Sequence, residues 1–304
     1  MDMELVCEGL WFPEGPIAMA DGSIVLVEIR RGTLSRVTPN GRRQTIAELG
    51  GGPNGAAVGP DGAVYVCNNG GAFDWAPGED VHMPADKDAP YAGGSIQRVD
   101  LKTGAVTTLY DGCDGKPLNG PNDIVFDKTG GFWFTCHGVS DGETRRLGGI
   151  YYARADGSQI TRWRRAQLSP NGIGLSPDCK TVYWADTWLQ KLWAMDLEAP
   201  GRPTAGDGHT PGRAVVTLPG LQWFDSLAVE ASGKVCVATL LNGGVTAIDP
   251  VSGACEHFAF PDPITTNICF GGEDMRDAWV TCSSTGKLYQ ARWPRPGLKL
   301  AFNG

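Results

Sequence analysis

One phrase recurs six times along the chain, and it constrains the fold more than any other feature of the 304-residue sequence. Each copy has a short turn with a polar residue, an apolar strand, a Gly-containing turn and a second strand rich in Val, Tyr and Trp. The copies begin, in order, at Phe12, Gly52, Gly120, Ser169, Trp223 and Thr265. Most copies continue into a third strand that ends in Asp and then a fourth strand. Four antiparallel strands per unit, repeated at about 40 to 60 residues, predict a six-bladed β-propeller.

The turn-forming residues support this all-β prediction. The chain contains 43 Gly and 21 Pro, a density that is typical of many short strands joined by tight turns. We expect a single propeller domain over residues 1–304, with blade boundaries near residues 52, 118, 168, 222 and 264. The last copy has no clear fourth strand, and the N-terminal segment MELVCEGL can supply it. The N-terminal strand would then close the last blade and remove its exposed edge.

Composition argues against several classes of protein. The formal net charge is −8 and no basic run is present, so nucleic-acid binding is not expected. The first residues show no signal-peptide pattern, and no apolar run is long enough to span a bilayer. Nine Cys residues are scattered singly, which argues against both a zinc cluster and a disulfide framework. These features predict a reduced, cytoplasmic protein without a membrane or nucleic-acid partner.

The polar position of the repeat predicts a metal site. In a propeller, the first strand of each blade lies closest to the axis, so equivalent residues just before these strands form a ring at one end of the channel. The gapless alignment of the copies places in this ring Glu14, Asn54, Asn122, Asn171, Asp225 and Asn267. Their oxygen-only donors suit a hard cation such as Ca²⁺, Mg²⁺ or Mn²⁺. The alternative reading is that Asn and Asp only cap turns, but Glu14 is a poor turn residue.

The same phrases resemble the family that includes regucalcin (the senescence marker protein) and bacterial gluconolactonases, with diisopropyl fluorophosphatase as a more distant relation. The resemblance runs along nearly the whole chain, and its most specific points are FPEGP, PND, SPNG, FDS and the FGG…WVTC pair. It implies metal ligands at Glu14, Asn171 and Asp225, with Asn122 binding the metal directly or through water and substrate. It also implies a hydrolase that opens a small lactone ring.

The sequence departs from this family at two points near the predicted site. Sugar-lactone enzymes typically carry Arg two residues before the Asn of the PND motif, where this chain has Gly120. The fifth motif often reads Pro-Asp-Gly, whereas here it reads Phe224-Asp225-Ser226 and follows Trp223. A smaller or less hydroxylated lactone is therefore as plausible a substrate as an aldonolactone.

The expected mechanism needs a polarised carbonyl group, an activated water and a general base. One divalent cation, with Ca²⁺ as first choice and Zn²⁺, Mn²⁺, Mg²⁺ or Fe²⁺ as alternatives, would polarise the carbonyl and lower the pKa of a bound water. Asp225 is the candidate catalytic base, and Asn122, His137 and Trp223 are the candidate substrate-binding residues. Ser/His/Asp catalysis fits poorly because the chain has no Gly-x-Ser-x-Gly motif and only four His.

Several alternatives remain at this stage. A phosphotriesterase could use the same cation, and a calcium-binding or interaction propeller would need no turnover. Residues 70–94 form a long insertion that is either a solvated surface loop or a lid, and His82 lies within it. His209 and His257 are predicted to be peripheral. Among the tryptophans, Trp133, Trp184 and Trp279 are predicted to pack between blades, and Trp75, Trp188 and Trp223 to lie at the rim.

Overall fold

The computed structural model describes residues 1–78, 81–205 and 212–303, and these described residues form strands and turns without a helix. Six antiparallel sheets, one for each copy of the repeat, follow one another along the chain. The innermost strand of every sheet contacts the innermost strands of both neighbouring sheets, so the sheets form a closed ring. The prediction of an all-β, six-bladed β-propeller is confirmed.

The first three blades follow the order of the chain from the axis outward. Blade 1 consists of Pro13–Ala18, Ile24–Glu28, Thr33–Val37 and Arg43–Glu48. Blade 2 consists of Pro53–Val58, Val64–Asn68, Ser95–Val99 and Val106–Tyr110. Blade 3 consists of Pro121–Phe126, Gly131–Cys136, Gly148–Arg154 and Ile160–Gln167.

The last three blades repeat this pattern with one variation. Blade 4 consists of Pro170–Leu175, Thr181–Asp186, Lys191–Ala199 and Arg213–Thr217, and Arg202–Pro203 pairs with the end of its third strand. Blade 5 consists of Trp223–Val229, Val235–Leu240, Gly244–Ile248 and Cys255–Ala259. Blade 6 consists of Thr265–Gly271, Asp277–Cys282, Lys287–Arg292 and the N-terminal strand Met3–Cys7.

The N-terminal strand closes the ring. Met3–Cys7 pairs antiparallel with Lys287–Arg292, as the sequence predicted. The innermost strands of blades 2 to 6 begin at Pro53, Pro121, Pro170, Trp223 and Thr265, each within three residues of its predicted boundary. Blade 6 is therefore completed by residues from both ends of the described chain. Every innermost strand has a neighbouring innermost strand on both sides.

Three short two-stranded β-ribbons lie at one end of the ring. We call this end, where the innermost strands begin and the second strands finish, the site face. Its ribbons pair Asp74–Trp75 with Pro84–Ala85, Gly112–Cys113 with Lys116–Pro117, and Val139–Ser140 with Arg145–Arg146. The connections between the first and second strands lie at the other end, which we call the opposite face.

Apolar side chains between neighbouring blades form the core. Trp133 and Trp184 are completely buried in one cluster that joins blades 3 and 4. Trp279 is 7% exposed and packs with residues of blade 1, including Ile24 and Leu26. These three tryptophans occupy the packing positions that the sequence predicted. Burying a large apolar side chain stabilises a fold by about 1.5–3 kcal/mol, so the blade seams are major contributors to stability.

The cysteines of this fold are not joined by disulfide bonds. All nine Cys are free thiols, and Cys67, Cys136, Cys236 and Cys282 are buried within second strands. Burial raises the pKa of the Cys67 and Cys236 thiols well above their ordinary value. Within the described residues, no helix is long and apolar enough to cross a membrane.

Candidate metal centre

A β-bulge marks the polar position in every blade. The pairing of each innermost strand with its neighbour shifts register at or beside the polar residue, six times in all. A bulge inserts an extra residue and re-aims the side chains next to it. The bulges therefore turn the six polar side chains away from the blade surface and toward the axis of the ring.

Glycine after the polar residue lets three of the innermost strands approach very closely. A Cβ atom on Gly15 would lie 2.7 Å from the carbonyl oxygen of Asn54, and one on Gly55 would lie 2.5 Å from that of Asn122. A Cβ atom on Gly172 would lie 2.5 Å from the backbone nitrogen of Leu227. No side chain fits at these distances, so the residue type sets the narrow spacing of the ring.

The six predicted ring residues lie at equivalent places in the innermost strands, and all six are buried. The exposed fraction of its six side chains ranges from 2% for Glu14 to 8% for Asp225. Asn267 Nδ2 donates a hydrogen bond of 2.7 Å to Glu14 Oε2, which joins blade 6 to blade 1. Asn171 Nδ2 donates to Thr187 Oγ1 at 3.1 Å, and its Oδ1 faces Ser226 Oγ of blade 5 at 3.5 Å. The predicted metal ligands Glu14, Asn122, Asn171 and Asp225 all belong to this ring.

The two carboxylates of the ring lie in a strongly unfavourable environment for negative charge. Burial raises the pKa of Glu14 to about 7, although hydrogen bonds from Asn267 and the Gly15 backbone oppose the shift. Burial, followed by the negative charges of Glu14 and Asp123, raises the pKa of Asp225 well above its ordinary value. Among the described residues, neither Glu14 nor Asp225 forms an ion pair with Lys or Arg. Two buried acids without a positive partner indicate a place for a cation.

The donor set fits a hard divalent cation. Asn122 Oδ1 is buried and accepts no hydrogen bond from any described residue, so its lone pairs have no partner in this part of the chain. Asn267, in contrast, points its amide nitrogen at Glu14 and accepts from the Ile268 backbone with its oxygen, so it supports the ring as a hydrogen-bond partner. Within the described residues, no three His, Cys, Asp or Glu side chains are grouped to hold a metal. Coordination here would therefore rely on amide oxygens as well as the two carboxylates.

Asp123 is a third buried carboxylate that sequence reasoning missed. Its Oδ2 accepts a hydrogen bond of 3.1 Å from the backbone of Ile173 in blade 4, and its Oδ1 accepts one of 2.9 Å from Ile124. Burial and the charge of Glu14 raise its pKa to about 8. The available signal was its position, because Asp123 aligns with Gly15, Gly55 and Gly172 in the repeat. It links blades 3 and 4 directly beneath the ring.

His137 lies beside the ring on the site face. Its backbone nitrogen donates to the carbonyl oxygen of Gly120 at 2.7 Å, and its ring lies edge-on to Trp188 with 6.4 Å between the ring centres. Burial, with the nearby Arg145 charge, lowers its pKa to about 3, which makes the imidazole neutral. Its Nδ1 atom is enclosed and has no hydrogen-bond partner among the described residues. His137 therefore lies on the site face, directly after the second strand of blade 3, with a neutral ring.

The rim tryptophans divide into one that is covered and two that are open. Trp75 packs against Phe12 with 5.3 Å between the ring centres, and Phe12 precedes Glu14 by two residues. Trp188 is 41% exposed and lies edge-on to His137, and Trp223 is 36% exposed at the start of the strand that carries Asp225. All three lie on the site face, where the sequence predicted them.

The insertion at residues 70–94 packs across the site face. The backbone nitrogen of His82 donates to the carbonyl oxygen of Ser284 in blade 6 at 2.8 Å. The backbone nitrogen of Lys87 donates to the carbonyl oxygen of Ser140 in blade 3 at 3.1 Å. On blade 1, Arg30 Nη1 donates to Gly78 and lies 2.7 Å from His82 Nδ1. The described part of the segment is thus held on three other blades, while side chains such as Val81 and Met83 remain exposed. His82 itself is buried in this anchor and away from the ring.

A separate cavity lies along the axis on the opposite face. Its volume is about 930 Å³, and it runs from Gly15, Asp123 and Asn267 to turns such as Ala20–Gly22 and the C-terminal Leu298 and Leu300. Glu14, Asn122, Asn171 and Asp225 do not line it. The ring therefore separates this cavity from the site face. His257 lies far from both, on the outermost strand of blade 5, and His209 lies outside the described residues.

Comparison with known proteins identifies a family and several relatives to which this chain is similar. Residues 12–284 match the family described as SMP-30/Gluconolactonase/LRE-like region. A gluconolactonase of Zymomonas mobilis is 24% identical over 295 residues, covering 88% of this chain and 76% of that protein. Regucalcin of Xenopus laevis is 29% identical over 218 residues, covering 67% of this chain and 69% of that protein.

Two solved structures have the same architecture over almost the entire chain. A gluconolactonase of Xanthomonas campestris superposes with a TM-score of 0.73 at 21% identity, covering 96% of this chain and 89% of that one. A calcium-binding protein, regucalcin, of Agrobacterium tumefaciens superposes with a TM-score of 0.73 at 20% identity, covering 96% and 95%. At this level of identity the superpositions show the shared propeller fold.

Proposed function

Because the chain belongs to the SMP-30/gluconolactonase/LRE-like family, we propose that it is a hydrolase that opens a small lactone ring with the help of one divalent cation. The observation that carries this proposal is the ring itself. Two buried carboxylates and a buried amide oxygen lie in the innermost strands at one end of the propeller, and within the described residues the carboxylates have no basic partner and the amide oxygen accepts no hydrogen bond. Relatives described as gluconolactonase and lactonase support lactones as the substrate class.

In this proposal, Glu14, Asn171 and Asp225 hold the cation, with Asn122 as a further ligand. When bound, the cation would act as a Lewis acid that polarises the lactone carbonyl and stabilises the developing oxyanion. The oxygen-only donors favour Ca²⁺, and a propeller described as a calcium-binding regucalcin supports the same choice. The hydrogen bond from Asn267 would keep Glu14 oriented toward the axis.

The protein side chains divide the remaining work. Asp225 accepts a proton from the attacking water as its oxygen bonds to the carbonyl carbon of the lactone. The ring C–O bond then breaks, and the proton passes to the departing alkoxide oxygen to give a hydroxy acid. Asn122 and the neutral His137 hold polar atoms of the substrate, and Trp223 forms an apolar wall beside the lactone ring.

The variant Asp225→Asn tests this assignment most sharply. It preserves the shape and one oxygen donor but removes the charge and the proton acceptor. At saturating cation, we expect lactone turnover to fall by at least about 100-fold, because general base catalysis contributes on that order. Turnover is measured by titrating the released acid, and occupancy by calorimetric cation binding to the same samples.

A matched control is available in the same blade. Asp249 accepts hydrogen bonds from two backbone nitrogens in a surface turn, and Asn can make the same contacts. Asp249→Asn should therefore keep near-normal turnover and cation binding. If Asp225→Asn turns over lactone normally at full cation occupancy, Asp225 is not the base.

A further inference from the structure

Arg145 occupies an unusual position on the site face. It lies in the short ribbon that pairs Val139–Ser140 with Arg145–Arg146. Its Nε donates to the carbonyl oxygen of Leu168 at 2.9 Å, and its Nη2 donates to that of His137 at 2.6 Å. Its guanidinium carbon lies 4.0 Å from the centre of the Trp188 ring. Two carbonyl groups and one indole thus hold the guanidinium in a single orientation.

These contacts place Arg145 next to the candidate metal centre. His137 bonds through its backbone to Gly120, two residues before Asn122. Leu168 precedes Asn171 by three residues. Arg145 therefore joins the residue that follows the second strand of blade 3 to the segment that leads into the innermost strand of blade 4. A substrate held at the ring would meet this residue at the seam between those blades.

The charge of Arg145 has no close counter-ion. The side chain is partly buried, and no carboxylate oxygen among the described residues lies within 4.0 Å of its nitrogens. Burial lowers the pKa of Arg145, and the charges of Asp186 and Asp86 oppose that shift without an ion pair to either acid; Asp186 Oδ1 accepts from Ser169 and Leu189. Nη1 of Arg145 makes no hydrogen bond to a described residue. A guanidinium group that is fixed in place, partly buried and left with a free N–H group is suited to bind an anion.

The guanidinium of Arg145 comes from a different part of the chain than the Arg of sugar-lactone enzymes. In those enzymes, Arg typically stands two residues before the Asn of the PND motif, where this chain has Gly120. Gly120 has a φ of 67°, and a Cβ atom there would lie 3.0 Å from the carbonyl oxygen of Gly138. A Cβ atom on Gly138 would in turn lie 3.2 Å from Nη2 of Arg145. The space beside Gly120 is thus bordered by the guanidinium of a different segment of the chain.

We infer that Arg145 binds an anionic substituent of the substrate, so that the preferred lactone carries a carboxylate group beside its ring. The inference rests on the proposed lactone hydrolysis and deepens it by naming the substrate class. A carboxylate would complete the pairing of Arg145 on its free side, while Trp188 covers one face of the guanidinium. The lactone ring itself would lie over the cation, between His137 and Trp223.

Two probes that differ only in charge test this inference. These are 5-oxotetrahydrofuran-2-carboxylate, a γ-lactone that bears a carboxylate, and the corresponding uncharged carboxamide. With wild-type protein at saturating Ca²⁺, we expect kcat/KM to be about 10- to 100-fold higher for the carboxylate, as a charge-assisted hydrogen bond provides. Arg145→Gln should abolish this preference by raising KM for the carboxylate while leaving the carboxamide nearly unchanged.

Two further variants separate binding from a structural role. Arg146 is adjacent, exposed and equally charged, and Arg146→Gln should retain the preference for the carboxylate. Arg145→Lys keeps the charge without the planar fork and should restore part of the preference. If Arg145→Gln lowers kcat/KM for both probes equally, Arg145 only supports the loop and the inference is wrong. Equal use of the two probes by the wild-type protein also overturns it.

A binding measurement distinguishes failure of this inference from failure of the proposed function. Calorimetry with 2-hydroxyglutarate, the hydrolysis product of the charged probe, needs no turnover. Binding that weakens about 10-fold in Arg145→Gln but not in Arg146→Gln supports the anion site even if neither lactone is hydrolysed. Hydrolysis of both lactones without any dependence on Arg145 leaves the proposed function intact and removes the anion site.

Discussion

Glu14 shows how one residue links the fold to the proposed chemistry. It lies in an innermost strand, beside a bulge, with 2% of its surface exposed, and it accepts hydrogen bonds from the Asn267 side chain and the Gly15 backbone. An ionised carboxylate in such a place costs stability unless a positive charge compensates it. A divalent cation at the ring would provide that compensation, so cation binding and folding stability should be coupled through this residue.

This coupling predicts a specific pH dependence for the cation-free protein. Because the pKa of Glu14 is raised from 4.5 to about 7, the folded state retains a proton that the unfolded chain has released between these values. Glu14 therefore lowers stability progressively as the pH rises through this window, by about 3 kcal/mol at the upper end. In the presence of chelator, Glu14→Gln should gain stability relative to wild type between pH 5 and pH 8.

Chemical denaturation at several pH values measures this difference directly. Addition of Ca²⁺ should reverse the order, because wild type gains cation-binding energy that the Gln variant lacks. The exposed Glu143 offers a control. The difference in unfolding free energy between Glu143→Gln and wild type should not change with pH. A constant gap between Glu14→Gln and wild type from pH 5 to pH 8 would contradict the assigned burial of an unpaired carboxylate.

At this scale the sequence was informative only where the repeat exposed a pattern. All six ring positions could be named because they recur at one place in the repeat, and in the structure all six are buried in the innermost strands. Asp123 was missed because its contact with the Ile173 backbone depends on how the bulge turns two neighbouring strands. Arg145 was missed because it reaches the site through a short ribbon outside the repeat.

The innermost strands show how glycine positions set the geometry of an element. Gly55 follows Asn54, and a Cβ atom there would lie 2.5 Å from both the Asn122 carbonyl oxygen and the Asp123 Cα atom. These are backbone atoms of blade 3, which cannot move aside without shifting a strand that also carries a proposed ligand. The close approach of blades 2 and 3 therefore depends on the absence of a side chain.

We accordingly expect Gly55→Ala to destabilise the fold by about 3 kcal/mol, as overpacking of a rigid site does. Gly62 is the matched control, because its φ is 75° but no atom lies within 4 Å of its Cβ position. Gly62→Ala should cost only about 1 kcal/mol, from backbone strain alone. Urea denaturation compares the two, and equal losses would show that the tight spacing at Gly55 is not a packing constraint. Gly55→Ala should also weaken Ca²⁺ binding, whereas Gly62→Ala should not.

The insertion illustrates what local sequence does not reveal about an element. Its composition allowed both a solvated loop and a lid, since it has no strand periodicity. Its placement is decided by contacts with Arg30, Ser140 and Ser284, which belong to three different blades and lie far away in the chain. Such contacts follow from the closed ring, so they become predictable only after the fold is known.

The whole molecule was the most predictable level, for a physical reason. A blade cannot bury both of its faces alone, so six copies of one phrase require a closed stack of neighbours. The missing fourth strand of the last copy pointed to the N-terminal segment, and Met3–Cys7 indeed pairs with Lys287–Arg292. Closure in turn brings Glu14 of blade 1 against Asn267 of blade 6. The ring of ligands proposed here is thus a consequence of how the chain ends meet.

One measurement tests the central claim most directly: lactone hydrolysis by the purified 304-residue chain at defined cation occupancy. Acid release from γ-butyrolactone, D-glucono-1,5-lactone and 5-oxotetrahydrofuran-2-carboxylate is followed in chelator and during titration with Ca²⁺, Mg²⁺, Mn²⁺, Zn²⁺ or Fe²⁺. The account predicts that hydrolysis of at least one lactone is lost in chelator and rises with added cation until one ion is bound per chain. Full activity in protein shown by mass spectrometry to be free of divalent metal, or no turnover of any lactone with any cation bound, would contradict it.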